Sequence, residues 1–132
     1  MTGTKKFYVA GSFKRMSLVN GIATQLETSG FKQTYDWTKH VAEPSLADLR
    51  KIAQAEYAGI VDCDFFVFVF PGGKGANVEF GIATALHKPI YVLDTINQIK
   101  NPAETSTFYL MDHVHAFHGT VAEFKVFILS RE

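Results

Sequence analysis

Residues 70–81 read FPGGKGANVEFG, with three glycines and one lysine just ahead of a single glutamate, Glu79. Three roles fit those residue types: a loop that cradles phosphate, a plain tight turn, or the seat of a catalytic carboxylate. A phosphate loop of the G-x-x-x-x-G-K-[ST] kind needs a hydroxyl residue after its lysine to hold magnesium, and Lys74 is followed by Gly75. A dinucleotide fingerprint needs its glycines after a first strand, and these follow the third predicted one. Both nucleotide motifs fail. A tight turn accounts for the glycines, which tolerate positive φ and close helix packing, but it leaves Glu79 unexplained. Glu79 stands about one turn into a predicted helix, among Val78, Phe80 and Gly81, where a solvent-facing glutamate would have polar neighbours. The helix dipole favours a carboxylate near a helix start. At the mouth of a cleft such a group is a competent nucleophile, or a partner for a developing cation.

Other stretches carry weaker signals. GSFKRMS sets Lys14 and Arg15 after the first strand and near a helix start, where they either hold a phosphate or remain solvated surface cations. Lys74 is a further cation over the same region. YDWT places Asp36, Trp37 and Thr38 at the end of the second predicted strand. There Trp37 either stacks on a base, with Asp36 or Thr38 reading its edge, or packs the strand end. HVHAFH brings His113, His115 and His118 together, yet no cysteine or catalytic glutamate stands at metal-site spacing, so a structural strand is the better reading. Cys63 precedes a buried strand and is expected to be inert.

Alternating strands and helices must position these groups. KKFYVAGS is a first strand of about five residues, and Ser17 to Ser29 forms a helix with apolar Leu18, Ile22, Ala23 and Leu26 at helical spacing, closed by Gly30. FKQTYDW is expected as the second strand and KHVAEP as loop. SLADLRKIAQAEYAGIVDC is a long helix opened by Ser45, with Asp48 as capping-box partner. DFFVFVF is continuously apolar, as a strand buried on both faces should be. The helix ANVEFGIATALH, the strand KPIYVLD, an irregular NPAETS region, a short strand near HVHAF and a final helix TVAEFKVFILSR complete the order. This order implies a three-layer α/β sandwich, flavodoxin- or Rossmann-like, around a parallel sheet of about five strands. Such sheets bind ligands at the carboxyl ends of their strands, so residues 10–16, 36–44 and 71–79 are expected to converge there.

The bulk numbers set the limits. A chain of 132 residues, 47% hydrophobic and 20% charged, is expected to be one soluble domain over residues 1–132. Thirteen basic against thirteen acidic residues give a net charge of zero, which offers no electrostatic support for binding nucleic acid or a membrane surface. One cysteine rules out an internal disulfide and suits a reducing compartment. No apolar run approaches the length of a membrane span, and MTGTKK leads straight into a strand rather than a signal sequence, so a complete, cytoplasmic protein is expected. Twelve phenylalanines and five tyrosines hint at more apolar surface than one core needs, and so at a homo-oligomer.

Four segments together make the sequence resemble the nucleoside 2-deoxyribosyltransferases and the related deoxynucleoside 5'-monophosphate N-glycosidases. They are FYVAGSF with its tyrosine, AEYAGIVDCDFFVFV with Glu56 eight positions before Asp64, the glycine turn into VEFGIATALHKPIYVL, and FYLMDHVHAF. They span most of residues 6–118, and only the third is specific by itself. The resemblance implies that Glu79 attacks C1' of the sugar to form a covalent glycosyl-enzyme, which a second base or water then opens with retention. It implies that Tyr8 sits beneath the sugar and holds the nucleophile, and that Glu56 handles the proton at the base. Gly11, Ser12, Lys14, Arg15, Asp36, Trp37, Gly73 and Gly75 would line the substrate pocket. Tyr109 and Met111 would reach a neighbouring subunit's site in a homo-oligomer with shared active sites. The implied partner is a small-molecule nucleoside or nucleotide, and no cofactor or metal is called for. The chain departs from the family pattern at three positions. Gly73 stands where relatives carry aspartate or serine, Tyr109 where transferases carry asparagine, and Glu56 where an aspartate is usual. Transfer to a second base is the first expectation. Hydrolysis of a 5'-monophosphate, or nucleotide binding without catalysis, stands beside it.

Overall fold

The computed structural model describes residues 3–39 and 42–132. The first two residues of the MTGTKK start and residues 40–41 of the KHVAEP loop lie outside the described residues. Five strands form one sheet in the order β2-β1-β3-β4-β5, every neighbouring pair parallel. They are β1 (Lys6–Ala10), β2 (Lys32–Gln33), β3 (Phe65–Phe70), β4 (Ile90–Asp94) and β5 (Val114–Phe117). The helices are α1 (Met16–Thr28), α2 (Leu46–Asp62), α3 (Lys74–Ala85) and α4 (Val121–Leu129). Helix α1 packs with α4 and α2 with α3, so the sheet is covered on both faces, as right-handed crossovers between parallel strands require. All six residues of β3 are buried, the outcome its unbroken FFVFVF run implied. The three-layer α/β sandwich expected from the sequence is the fold observed.

Local chemistry sets the helix starts. Ser45 and Asp48 make the expected reciprocal capping box of α2, and Thr120 and Glu123 repeat it at α4. Helix α3 begins at Lys74, two residues ahead of the expected Ala76. Its N-cap is Gly73, which has no side chain to cap with. Gly72, just before it, sits at φ +63°, and a Cβ there would lie 2.8 Å from the Phe68 ring; only glycine fits this turn.

One expected element is shorter than expected. FKQTYDW yields only Lys32–Gln33 as strand. The Thr34 amide still bonds the Phe7 carbonyl at 2.9 Å, after which the chain leaves the sheet. Trp37 drives the departure: its ring turns into the core and its indole N–H donates to the Val9 carbonyl at 2.7 Å. Aromatic content suited a strand, but here tertiary burial decided.

Candidate active site

Strands β1 and β3 lie side by side at the point where the chain reverses its direction of travel across the sheet, and the crevice beyond their carboxyl ends is open. A cleft of about 630 Å³ fills it, lined by Gly11, Ser12 and Phe13 after β1, by Trp37 and Pro44, by Leu49, Ile52 and Glu56 of α2, and by Gly73, Lys74, Gly75, Ala76 and Glu79 around the start of α3.

Tyr8 comes from β1, Glu79 from the second turn of α3 and Glu56 from α2. The Tyr8 ring is fully buried and stacked on Phe66, its partner in the adjacent strand, at 5.6 Å between centroids. Its hydroxyl donates a short hydrogen bond to Glu79 Oε2. Burial first, then the neighbouring Glu79 carboxylate, push the Tyr8 hydroxyl far above the usual phenol range, so it remains a donor at every working pH. Glu79 is 9% exposed. Burial raises its pKa to about 8; the Tyr8 hydrogen bond pulls it down, and the charge and hydrogen bond of Glu56 push it up. Burial raises Glu56 as well, opposed by its hydrogen bond to Glu79. The hydrogen bond between the two carboxyls raises Glu79 and lowers Glu56, so the proton they share rests on Glu79. The floor of the cleft therefore presents a carboxyl, Glu79, beside the Glu56 carboxylate, with the fixed Tyr8 hydroxyl donating to Glu79. Such a pair is able to do acid–base or nucleophilic chemistry.

The other expected residues divide into two groups. Gly11, Ser12, Trp37, Gly73 and Gly75 line the cleft, and Lys74 joins them. Lys14 and Arg15, in a short 3₁₀ turn before α1, are not among its lining residues, and neither is Asp36. The Asp36 carboxylate instead accepts from the Thr38 amide at 3.0 Å and from its hydroxyl, closing a local turn. Trp37 spends its one donor on Val9, so it offers the cleft an apolar wall and no polar contact. Tyr109 and Met111 do not line the cleft of their own chain. The Tyr109 ring packs among Phe68, Phe70 and Phe80, and its hydroxyl donates to Asn77. The Asn77 amide in turn holds the Gly73 carbonyl at 2.9 Å. Tyr109 thus braces the glycine turn from behind.

The three histidines serve separate parts of the fold. His113 bonds Thr84, His115 stacks on Tyr91, and His118 donates to the Asp94 carbonyl at 2.7 Å. Among the described residues no group of three or more His, Cys, Asp or Glu could hold a metal ion. Cys63 is buried with its thiol pushed up to about 12 by desolvation, which makes it unreactive. No described helix is long and apolar enough to cross a membrane.

Phe13 and Pro44 fall within the ranges 10–16 and 36–44 expected at the crevice, whereas Leu49 and Ile52 escaped the sequence reading although a signal for them existed. Leu49 and Ile52 precede Glu56 by seven and four residues, which places all three on one face of α2.

A wholly parallel five-stranded sheet, with a carboxyl pair and a tyrosine in the crevice at its switch point, defines a doubly wound α/β protein of the flavodoxin-like class. The nucleoside 2-deoxyribosyltransferase family matches this chain over residues 7–123. The chain belongs to that family. Comparison with curated proteins gave no match. Among solved structures, a conserved protein of Enterococcus faecalis V583 is similar, with TM-score 0.71 at 19% identity over 98% of this chain and 100% of that one. The CMP N-glycosidase BcmB of Clostridium botulinum gives TM-score 0.62 at 18% identity over 94% and 98% of the two chains. A 2-desoxiribosyltransferase from Leishmania mexicana gives 0.52 at 18% over 84% and 77%. At these identities the likeness is one of fold.

Proposed function

We propose that the protein cleaves the N-glycosidic bond of a (deoxy)nucleoside or nucleotide through a covalent glycosyl-Glu79 intermediate and passes the sugar to another base. The observation that carries this reading is the buried Glu79 carboxyl, held by Tyr8 and Glu56 on the floor of the cleft. The pair enters the reaction with one proton. That proton passes from Glu79 to Glu56 across their hydrogen bond; Glu79, now anionic, attacks C1' from the face opposite the base, and the C1'–N bond breaks as Glu56 delivers the proton to the departing base. Tyr8 steadies the Glu79 oxygen and helps keep it ionised. An acceptor base then attacks C1' from the vacated face, Glu56 takes its proton, and the ester bond to Glu79 breaks; two inversions give net retention. The apolar wall of Trp37, Leu49 and Ile52, with Phe13 edge-on to Trp37 at 5.5 Å, suits the flat face of a base.

A second reading, hydrolysis of a nucleoside 5'-monophosphate, draws on Lys74 and the uncapped amides at the start of α3, which meet the cleft. In either case the working form is a homo-oligomer in which the segment around Tyr109 and Met111 approaches a neighbour's cleft. The exposure of Phe108, Leu110 and Met111 supports this.

Incubation with deoxynucleosides, deoxynucleotides and ribonucleotides, with and without an acceptor base, followed by chromatography of free base and new nucleoside, tests both readings. Exchange that requires an acceptor is the expected result, and base release from monophosphates alone would select hydrolysis. Thermal stabilisation by a nucleotide without any turnover would overturn both.

A further inference from the structure

The carboxyl pair works only if α2 brings Glu56 within hydrogen-bond reach of a glutamate on another helix. We propose that Gly59, in the interior of α2, is a positioning residue for this site: its missing side chain lets the helix settle onto Tyr8 and so sets the Glu56–Glu79 contact. Gly59 is buried and follows Glu56 by three positions, so the two share a helix face. A Cβ at Gly59 would stand 3.0 Å from Tyr35 Cβ, 3.2 Å from Thr34 Oγ1 and 3.2 Å from Cδ2 of the Tyr8 ring. Two of these neighbours, Tyr8 and Thr34, are held. The Tyr8 ring is clamped between Phe66 and its bond to Glu79, and the Thr34 amide and hydroxyl bind the Phe7 carbonyl at 2.9 and 3.3 Å. The helix must therefore yield, and Glu56 moves with it. Glycine inside a helix is unfavourable by propensity, so its presence here needs a reason, and close approach supplies one.

This rests on the catalytic reading above, and its test separates the two. The titratable groups facing the pair are Tyr8 from β1, Tyr35 from the loop after β2 and Lys74 at the start of α3. Gly59→Ala is made alone and with Glu56→Gln, and carboxyl titration is followed by carbon NMR of labelled glutamate alongside kcat and KM. Gly59→Ala is expected to keep its fold, to lower the titration midpoint of Glu79, and to reduce kcat at least tenfold with KM changed less. In the Glu56→Gln background the same substitution should reduce kcat by less than twofold, because its route runs through Glu56. Thr34→Ile presses on the same helix face from the sheet side and should act alike, which keeps the test alive if Gly59→Ala does not fold. An unchanged Glu79 titration in a folded variant, or equal losses in both backgrounds, overturns the positioning role. If Glu79→Ala keeps full activity while the titration still moves, the catalytic reading fails and the positioning of the pair stands.

Discussion

At the scale of single residues, the proposed mechanism gives three side chains separate roles, and their variants should divide the kinetics. Glu79→Gln removes the attacking oxygen, so turnover should fall by ~10³-fold or more and no glycosyl-enzyme should be trapped on denaturation and mass analysis. Glu56→Gln should cost ~10²–10⁴-fold with a natural base, and far less with a leaving group that needs no proton. Tyr8→Phe removes one hydrogen bond to a charged group, about 1.5–3 kcal/mol, and so slows turnover roughly ten- to a hundredfold. The pH profile follows from the shared proton. Activity should fall on the alkaline side near pH 8, where the pair loses that proton, and on the acid side above the ordinary 4.5, because burial raises Glu56 as well. Since the Tyr8 hydrogen bond lowers the Glu79 pKa, Tyr8→Phe should move the alkaline limb upward.

At the scale of elements, the site depends on where helices begin and end. Gly72→Ala places a methyl group against the Phe68 ring at a left-handed φ, and should destabilise the fold by ~1–3 kcal/mol in denaturant titration. The end of α2 is held by Lys88, whose ammonium donates to the carbonyls of Val61 at 2.9 Å and Cys63 at 2.7 Å. A cation there also meets the negative end of the helix dipole. Lys88→Met should cost about 1–2 kcal/mol and leave the pH profile in place. The α2 capping box and β3 were legible from local residue patterns, because caps and continuous apolar runs act through near neighbours. The short β2 was not, because the capture of Trp37 by the Val9 carbonyl joins residues 28 positions apart.

For the whole molecule, the buried Glu79 carboxyl is a load on stability. The folded-state pKa of Glu79 is raised from 4.5 to about 8, so its contribution is fully present below about pH 4.5 and is lost as pH rises through 8. Glu79→Gln cannot ionise. It should match the native chain in melting temperature near pH 4 and exceed it increasingly up to pH 8, by a margin on the order of a few kcal/mol. A margin that stayed flat across this range would contradict the buried, shared-proton description. Such a trade between stability and function is common where a charge is held out of water.

By itself, the sequence determined the layer order and the parallel sheet, and it singled out Glu79 as the candidate carboxylate. These follow from apolar periodicity, glycine placement and a carboxylate in an apolar setting, all visible over short spans. It also singled out Tyr8 and Glu56, through resemblance rather than through spacing. Only the tertiary structure decided that the three meet. Tyr8 and Glu79 are 71 positions apart, and their contact exists because β1 and β3 are adjacent and α2 can lie close against Tyr8. The fold likewise kept Lys14, Arg15 and Asp36 off the cleft and brought in Leu49 and Ile52. Which side chains line a crevice depends on the angle at which each loop leaves the sheet, and that angle is set by burial among distant partners.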